Sequence, residues 1–170
     1  MALVRNSVKL ISPASQTWAI KFLVASGAAT SIPKGNPTES YSATGTTTGK
    51  VRIATTLKPT TADNYHFGGL SKTDSTDTAA ADGVVWCYAP FPSLIYEAQP
   101  TDSTACNTQA KIDALMSKRA YFTVGSTSVT VLTSATDAAA NGVCIVGGDY
   151  KKGSVWFVVQ VAATIFTGTA

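Results

Sequence analysis

Residues 142–166 read GVCIVGGDYKKGSVWFVVQVAATIF. Two apolar runs of strand length flank a polar centre, and Gly147-Gly148-Asp149 supplies residues that tolerate positive φ where the first run ends, so GGDYKKGSVWF reads as a β-hairpin. The same texture recurs upstream in KVRIATTL (50–57), NYHFGGL (64–70), GVVWCYA (83–89), SLIYEAQ (93–99), RAYFTV (119–124) and SVTVLTS (128–134). Several of these alternate with period two, and Asp82-Gly83 and Asn141-Gly142 punctuate them as turns. No repeat of fixed period appears, which removes solenoids and propellers.

One stretch breaks the pattern. In TDSTACNTQAKIDALMSK (101–118), Ala105, Ala110, Ile112, Leu115 and Met116 stand among polar residues at helical spacing. A helix over 104–118 is predicted, with Asp102, Ser103 and Thr104 as capping candidates and Lys118 and Arg119 placed to complement its dipole. Residues 1–49 differ again. A strand-like WAIKFLVA run (Trp18–Ala25) precedes GAATSIPKGNPTESYSATGTTTGK, which has too little apolar matter to offset the entropy of ordering by itself. Two readings stay open: an extended arm that orders against a partner, or a long surface loop of the same domain. The predicted fold is therefore mainly β, a compact small barrel or sandwich over residues 50–170 with one short α-helix, preceded by an N-terminal strand and extended arm or loop over 1–49.

The chain has 170 residues, of which 14% are charged against roughly 25% in an average soluble domain. Thr and Ser, about a quarter of the sequence, stand in their place. β-Branched Thr packs well on a pleated surface, and a charge-poor surface costs less to strip of water in a contact. The net charge of +3 is spread from Arg5 to Lys152, with pairs only at Lys118-Arg119 and Lys151-Lys152. A nucleic-acid face clusters its basic residues, so no nucleic acid is expected as a partner. No segment offers the roughly 20 apolar residues that span a bilayer, no signal peptide is evident, and neither a membrane nor secretion is expected.

Chemistry is sparse. The single histidine, His66, lies in ADNYHFGGL without a nucleophile motif beside it, and a structural role is the expectation. The ten carboxylates lie mostly in Ser/Thr/Ala-rich turns. Glu97 with a distant Asp is the only glycosidase-like pairing worth naming, and Asp74, Asp77 and Asp82 are oxygen-rich but lack calcium-loop spacing. Cys87, Cys106 and Cys144 are odd in number and far apart, so neither a disulfide framework nor a zinc site is expected. Cys87 and Cys144 lie in apolar runs and read as buried small hydrophobes, in keeping with synthesis in a reducing cytoplasm. Phosphate-binding loops are absent. The expectation is no catalytic residue, no metal and no cofactor, with Trp86 and Trp156 in the core or at a subunit interface.

Between Tyr65 and Phe166, about three fifths of the chain, the order of segments resembles the capsid decoration (head cement) proteins of tailed bacteriophages. The likeness rests on FGGLSKTDS (67–75), on DGVVWCYAPFPSLIYEAQ (82–99) with Pro90 and Pro92 between two strands, on a helix-bearing polar insert, on YFTV (121–124), and on the closing GVCIVGGDYKKGSVWFVV hairpin (142–159). The resemblance implies a structural protein of the virion that binds the capsid exterior, contacts the major capsid protein where its subunits meet, and assembles as a trimer or dimer. It brings no catalytic residues. It nominates residues 1–49 as a docking arm. Two other classes are kept: a carbohydrate- or receptor-binding module of a fibre or tail, presenting Tyr41, Tyr65, Trp86 and Tyr150, and, least favoured, a small hydrolase.

Overall fold

A computed structural model describes residues 8–11, 18–24, 31–43, 46–54, 66–78, 81–91, 94–124, 129–133 and 142–160. Eleven strands and one helix are found there: β1 (Lys9–Leu10), β2 (Ala19–Val24), β3 (Pro37–Ala43), β4 (Thr46–Ile53), β5 (Phe67–Ser71), β6 (Gly83–Tyr88), β7 (Tyr96–Pro100), α1 (Gln109–Leu115), β8 (Arg119–Val124), β9 (Val129–Leu132), β10 (Val143–Asp149) and β11 (Ser154–Val159). The mainly β class with one short helix is as expected.

The first five long strands close a barrel in the order β2-β4-β3-β5-β6, with β6 returning to β2. All its ladders are antiparallel except β2–β4. Closure leaves no open edge in this unit, which removes a template for uncontrolled strand pairing. The remaining strands form a sheet in the order β1-β7-β11-β10-β8-β9, and this sheet curls until β9 pairs in parallel with the end of β7. The hairpin expected at GGDYKKGSVWF is the β10–β11 ladder, running from Val143↔Val159 to Asp149↔Ser154. A register shift falls between Ile145 and Gly147. There the Trp156 ring lies over Gly147, 3.2 Å from where a Cβ would stand, so a side chain at 147 would have to displace the indole.

Two clusters of buried side chains hold these units. Inside the barrel are Val24, Ile32, Val51, Val85 and Cys87, with Phe22 and Ile53 against them. A larger cluster fills the curled sheet and extends onto the barrel: Leu94, Tyr96, Ile112, Ile145, Val155 and Phe157 pack with Phe67 and Leu70 of β5. The rings of Phe67 and Tyr96 meet edge to face at 5.9 Å, and Tyr96 stacks on Phe157 at 5.7 Å. Strand β5 is consequently buried on both faces. Its glycines follow from that position: Gly69 has φ +117°, and a Cβ there would come within 2.1 Å of the Tyr88 carbonyl oxygen.

The described part of 1–49 does not sit as an arm. The boundary expected at residue 49 falls inside β4, while β2 pairs along its whole length with β6, and β3 lies between β4 and β5. Polar side chains do there what apolar ones do elsewhere. Ser71 Oγ accepts from the Asn36 amide and donates to the Pro33 carbonyl, Thr38 Oγ1 donates to the Gly69 carbonyl, and Ser75 Oγ accepts from the Ile32 amide. Residues 1–7, 12–17, 25–30 and 44–45 lie outside the described residues.

The helix is shorter than expected and capped elsewhere. Thr108 is its N-cap, with Oγ1 accepting from the Lys111 amide. Asp102 instead closes a turn, accepting from both the amide and the hydroxyl of Thr104. These charge-assisted bonds hold its carboxyl below the usual carboxylate range. Nor do Lys118 and Arg119 reach the helix end. Ser117, at φ +66°, turns the chain out, and Ser117 and Lys118 at once exchange backbone bonds with Ile145.

Candidate functional site

The residues weighed for chemistry are dispersed and already engaged. The His66 amide donates to Ser40 Oγ and its carbonyl accepts from the Ser40 amide, fixing this half-buried residue at the start of β5. Glu97 accepts a 2.6 Å bond from Ser154 Oγ across the β7–β11 ladder. Asp74 accepts from the Lys34 amide, Asp77 from the Ser75 hydroxyl, and Asp82 pairs with Lys50. These three carboxylates thus serve three separate partners. Among the described residues no group of three His, Cys, Asp or Glu side chains is placed to hold a metal ion.

Sequence reasoning passed over one carboxylate that the fold buries completely. Glu39 stands opposite Arg52 in the β3–β4 ladder and opposite Phe67 across β5, and the Arg52 Nε donates to its Oε1 at 2.8 Å. Arg52 is itself three-quarters covered. Such a pair is costly to break because the surviving charge would remain out of water.

The cysteines are free thiols. Cys87 lies in the barrel interior with its Sγ 3.6 Å from Thr38 Oγ1, and burial, only partly opposed by that contact, pushes its pKa up to about 11. Cys106 is buried beside α1 and is likewise pushed up by burial, then by the Asp102 charge. Cys144 is half-buried on β10, less covered than expected. A raised pKa leaves little thiolate near neutral pH, so Cys87 and Cys106 are poor nucleophiles.

What the structure does assemble is an exposed face on the barrel. In an antiparallel ladder directly opposed residues share a face. The β2–β6 register sets Leu23 opposite Val84, Lys21 opposite Trp86 and Ala19 opposite Tyr88. The alternate positions Phe22, Val24, Val85 and Cys87 point into the barrel. On the far side of β6 the Lys72 amide donates to the Trp86 carbonyl, and the Lys72 Nζ sits 5.9 Å from the Tyr88 ring centroid. Trp86 is therefore flanked across the strands by Lys21 on one side and Lys72 on the other. Leu23 is 50% exposed and Trp86 43%. The face is bounded near Leu23 by the Lys50–Asp82 ion pair.

Comparison with family models, with curated proteins and with solved structures found no match. The physical character of this face is accordingly the main guide to function.

Trp86 is not in the core, whereas Trp156 is half-buried over Gly147. Of the aromatics considered for sugar binding, Tyr65 and the Tyr41 side chain lie outside the described residues. Trp86 belongs to the barrel, and Tyr150 to the β10–β11 turn of the curled sheet. Leu23, Val84, Lys21 and Lys72 were not singled out from the sequence. The period-two alternation of AIKFLV and GVVWCY does separate their two faces, but only the register discloses that the two half-patterns lie side by side.

Proposed function

We propose that the protein is a structural, non-enzymatic component of a tailed-phage virion, which binds the outside of the capsid and stabilises it by bridging major capsid subunits. It acts there as a trimer or dimer, after synthesis in the host cytoplasm. The observation that carries this reading is the Leu23–Val84 and Lys21–Trp86–Lys72 face, with Leu23 and Trp86 exposed, on a closed barrel. Large apolar side chains left on a rigid strand face, in a chain with few charges to desolvate, suit docking against protein. The order of segments between Tyr65 and Phe166 supports the choice of a capsid as that protein.

Sedimentation of the purified protein with phage heads stripped of minor proteins tests the reading, with liposomes and unrelated shells as controls. Saturable, stoichiometric co-sedimentation with the heads alone is expected. An exposed tryptophan on a sheet face, Trp86, also suits stacking on a sugar ring, which is the specific observation favouring a glycan-binding module. Failure on several candidate heads, together with hits on a glycan array, would replace the capsid reading by that one.

A further inference from the structure

The face on β2 and β6 has a sign as well as an apolar centre. Lys21 and Lys72 are exposed, and neither forms an ion pair among the described residues. Of the carboxylates near its border, Asp82 is engaged by Lys50, Asp77 accepts from the Ser75 hydroxyl and Asp74 from the Lys34 amide. Lysines on both sides of Trp86 mean that any surface laid flat on the indole is met by two positive charges. An acidic surface would satisfy them, whereas a basic one would bury like charges together. A second copy placed symmetrically over this face would bring two pairs of lysines into one small area.

We propose that this face is the capsid-contacting surface, and that its partner is a protein patch with an apolar centre to receive Leu23 and Trp86 and carboxylates at the positions facing Lys21 and Lys72. The inference rests on the reading of the protein as a capsid-binding one. Its size adds a further consequence. Three alternate positions on two adjacent strands cover on the order of 200–300 Å², from strand rise and spacing. A stable pairwise interface needs roughly 800 Å² from each partner. One such contact is too small to hold by itself, so the face works by repetition: an oligomer engages several copies of the patch on a symmetric shell, and affinity multiplies without new chemistry. Tight binding to assembled heads and weak binding to the isolated capsid subunit follow.

The test compares four full-length proteins for binding to stripped heads, at salt from about 50 to about 300 mM, a range that shortens the Debye length about 2.4-fold. They are the wild type, a Lys21→Glu/Lys72→Glu variant, a Leu23→Ser/Trp86→Ser variant, and a Lys151→Glu/Lys152→Glu control carrying the same charge change on the β10–β11 turn. Thermal unfolding checks that each is folded. The charge-reversed face should lose about tenfold or more in affinity at low salt, and the Leu23/Trp86 variant more than that, as expected of truncated anchors. The control should bind within about twofold of wild type if position rather than net charge matters.

Wild-type binding that survives both β2–β6 variants would overturn this face while leaving the capsid reading intact. Absence of wild-type binding to any head would overturn both. An equal loss in the control would reduce the effect to net charge and overturn the proposal. So would equal binding to vesicles of phosphatidylserine and phosphatidylcholine, or self-association in sedimentation equilibrium abolished by Leu23→Ser/Trp86→Ser. The first would make the surface a lipid-binding one and the second would assign it to another copy of the chain.

Discussion

The barrel and the curled sheet are both built of short strands closed on themselves, yet they are held by different means. In the sheet the interior is mainly apolar: Leu94, Tyr96, Ile112, Ile145, Val155 and Phe157 exclude water and bury one another. In the barrel a few apolar side chains share the buried volume with Asn36, Thr38, Ser40 and Ser71, whose hydroxyls and amide bond to nearby backbone. Apolar burial is non-directional and tolerates repacking, while a hydrogen-bonded interior fixes register but fails locally when one member is removed. The larger apolar cluster lies in the sheet, and the barrel carries the registered outer face proposed for docking.

That contrast depends on the two units folding together, which the junction can break. Phe67 belongs to a barrel strand but buries its ring in the core of the sheet, against Tyr96. Phe67→Ala would open a cavity there and cost about 3–5 kcal/mol, the usual range for deleting a buried aromatic. Urea unfolding of the wild type, followed by far-UV circular dichroism and by tryptophan fluorescence, is expected to give one coincident transition, shifted to lower urea in Phe67→Ala. Two separated transitions in the wild type would mean that barrel and sheet are independent, and would remove the argument that one stabilises the other.

How much could be read from the sequence divides along the same line. The curled sheet was legible because its strands are apolar runs bounded by turn residues: YEAQP, VCIVGGD and SVWFVV announce themselves by composition and alternation. The barrel was only half legible. AIKFLV, GVVWCY, FGGL and the KVRI end of β4 carry a strand pattern, but PTESYSA and the TTTG start of β4 do not, and in β3 Thr38, Glu39 and Ser40 are covered without being apolar. Thr38 finds its partner in the Gly69 carbonyl 31 residues away, Ser40 in the His66 amide 26 away and Glu39 in Arg52 13 away, and pairing at such separations leaves no local signature. The face proposed for docking was hidden for a related reason, because it arises from the β2–β6 register.

The interior thiol of the barrel gives a second, smaller test. Cys87 has its pKa raised to about 11 from the ordinary value of 9.0, mainly by burial. The sign follows from linkage. Below pH 9 the thiol is protonated in both states and its contribution is fully present. Between about pH 9 and 11 the unfolded chain releases the proton first, so stability falls, and a two-unit shift amounts to roughly 2–3 kcal/mol. Tyr96, pushed up by burial and then by the Cys87 charge, extends the loss to still higher pH. Urea midpoints measured from pH 8 to 11 should fall steeply for the wild type and less steeply for Cys87→Ala, with Tyr96 leaving a residual slope in both. Parallel slopes would mean that the barrel interior admits water or charge more readily than its packing implies.

The smallest effect sharpens the comparison most directly. Ser71 is buried in the barrel, with Oγ accepting from the Asn36 amide at 2.9 Å and donating to the Pro33 carbonyl at 2.7 Å. Ser71→Ala removes both bonds and leaves a buried donor and acceptor to find other partners, a loss of roughly 1–3 kcal/mol. The Asn36 amide also points at the Pro33 carbonyl at 3.3 Å, so part of its bonding survives and the cost belongs near the lower end of that range. The matching change in the sheet is Ser154→Ala. That hydroxyl is also buried, but its bond goes to the half-buried Glu97, which retains access to water, and the chain around it is held by Val155 and Phe157. Its loss should cost less than Ser71→Ala, roughly 1 kcal/mol or below. Equal costs in chemical denaturation would mean that polar side chains contribute alike in the two units, and the barrel would then owe its register to strand pairing alone.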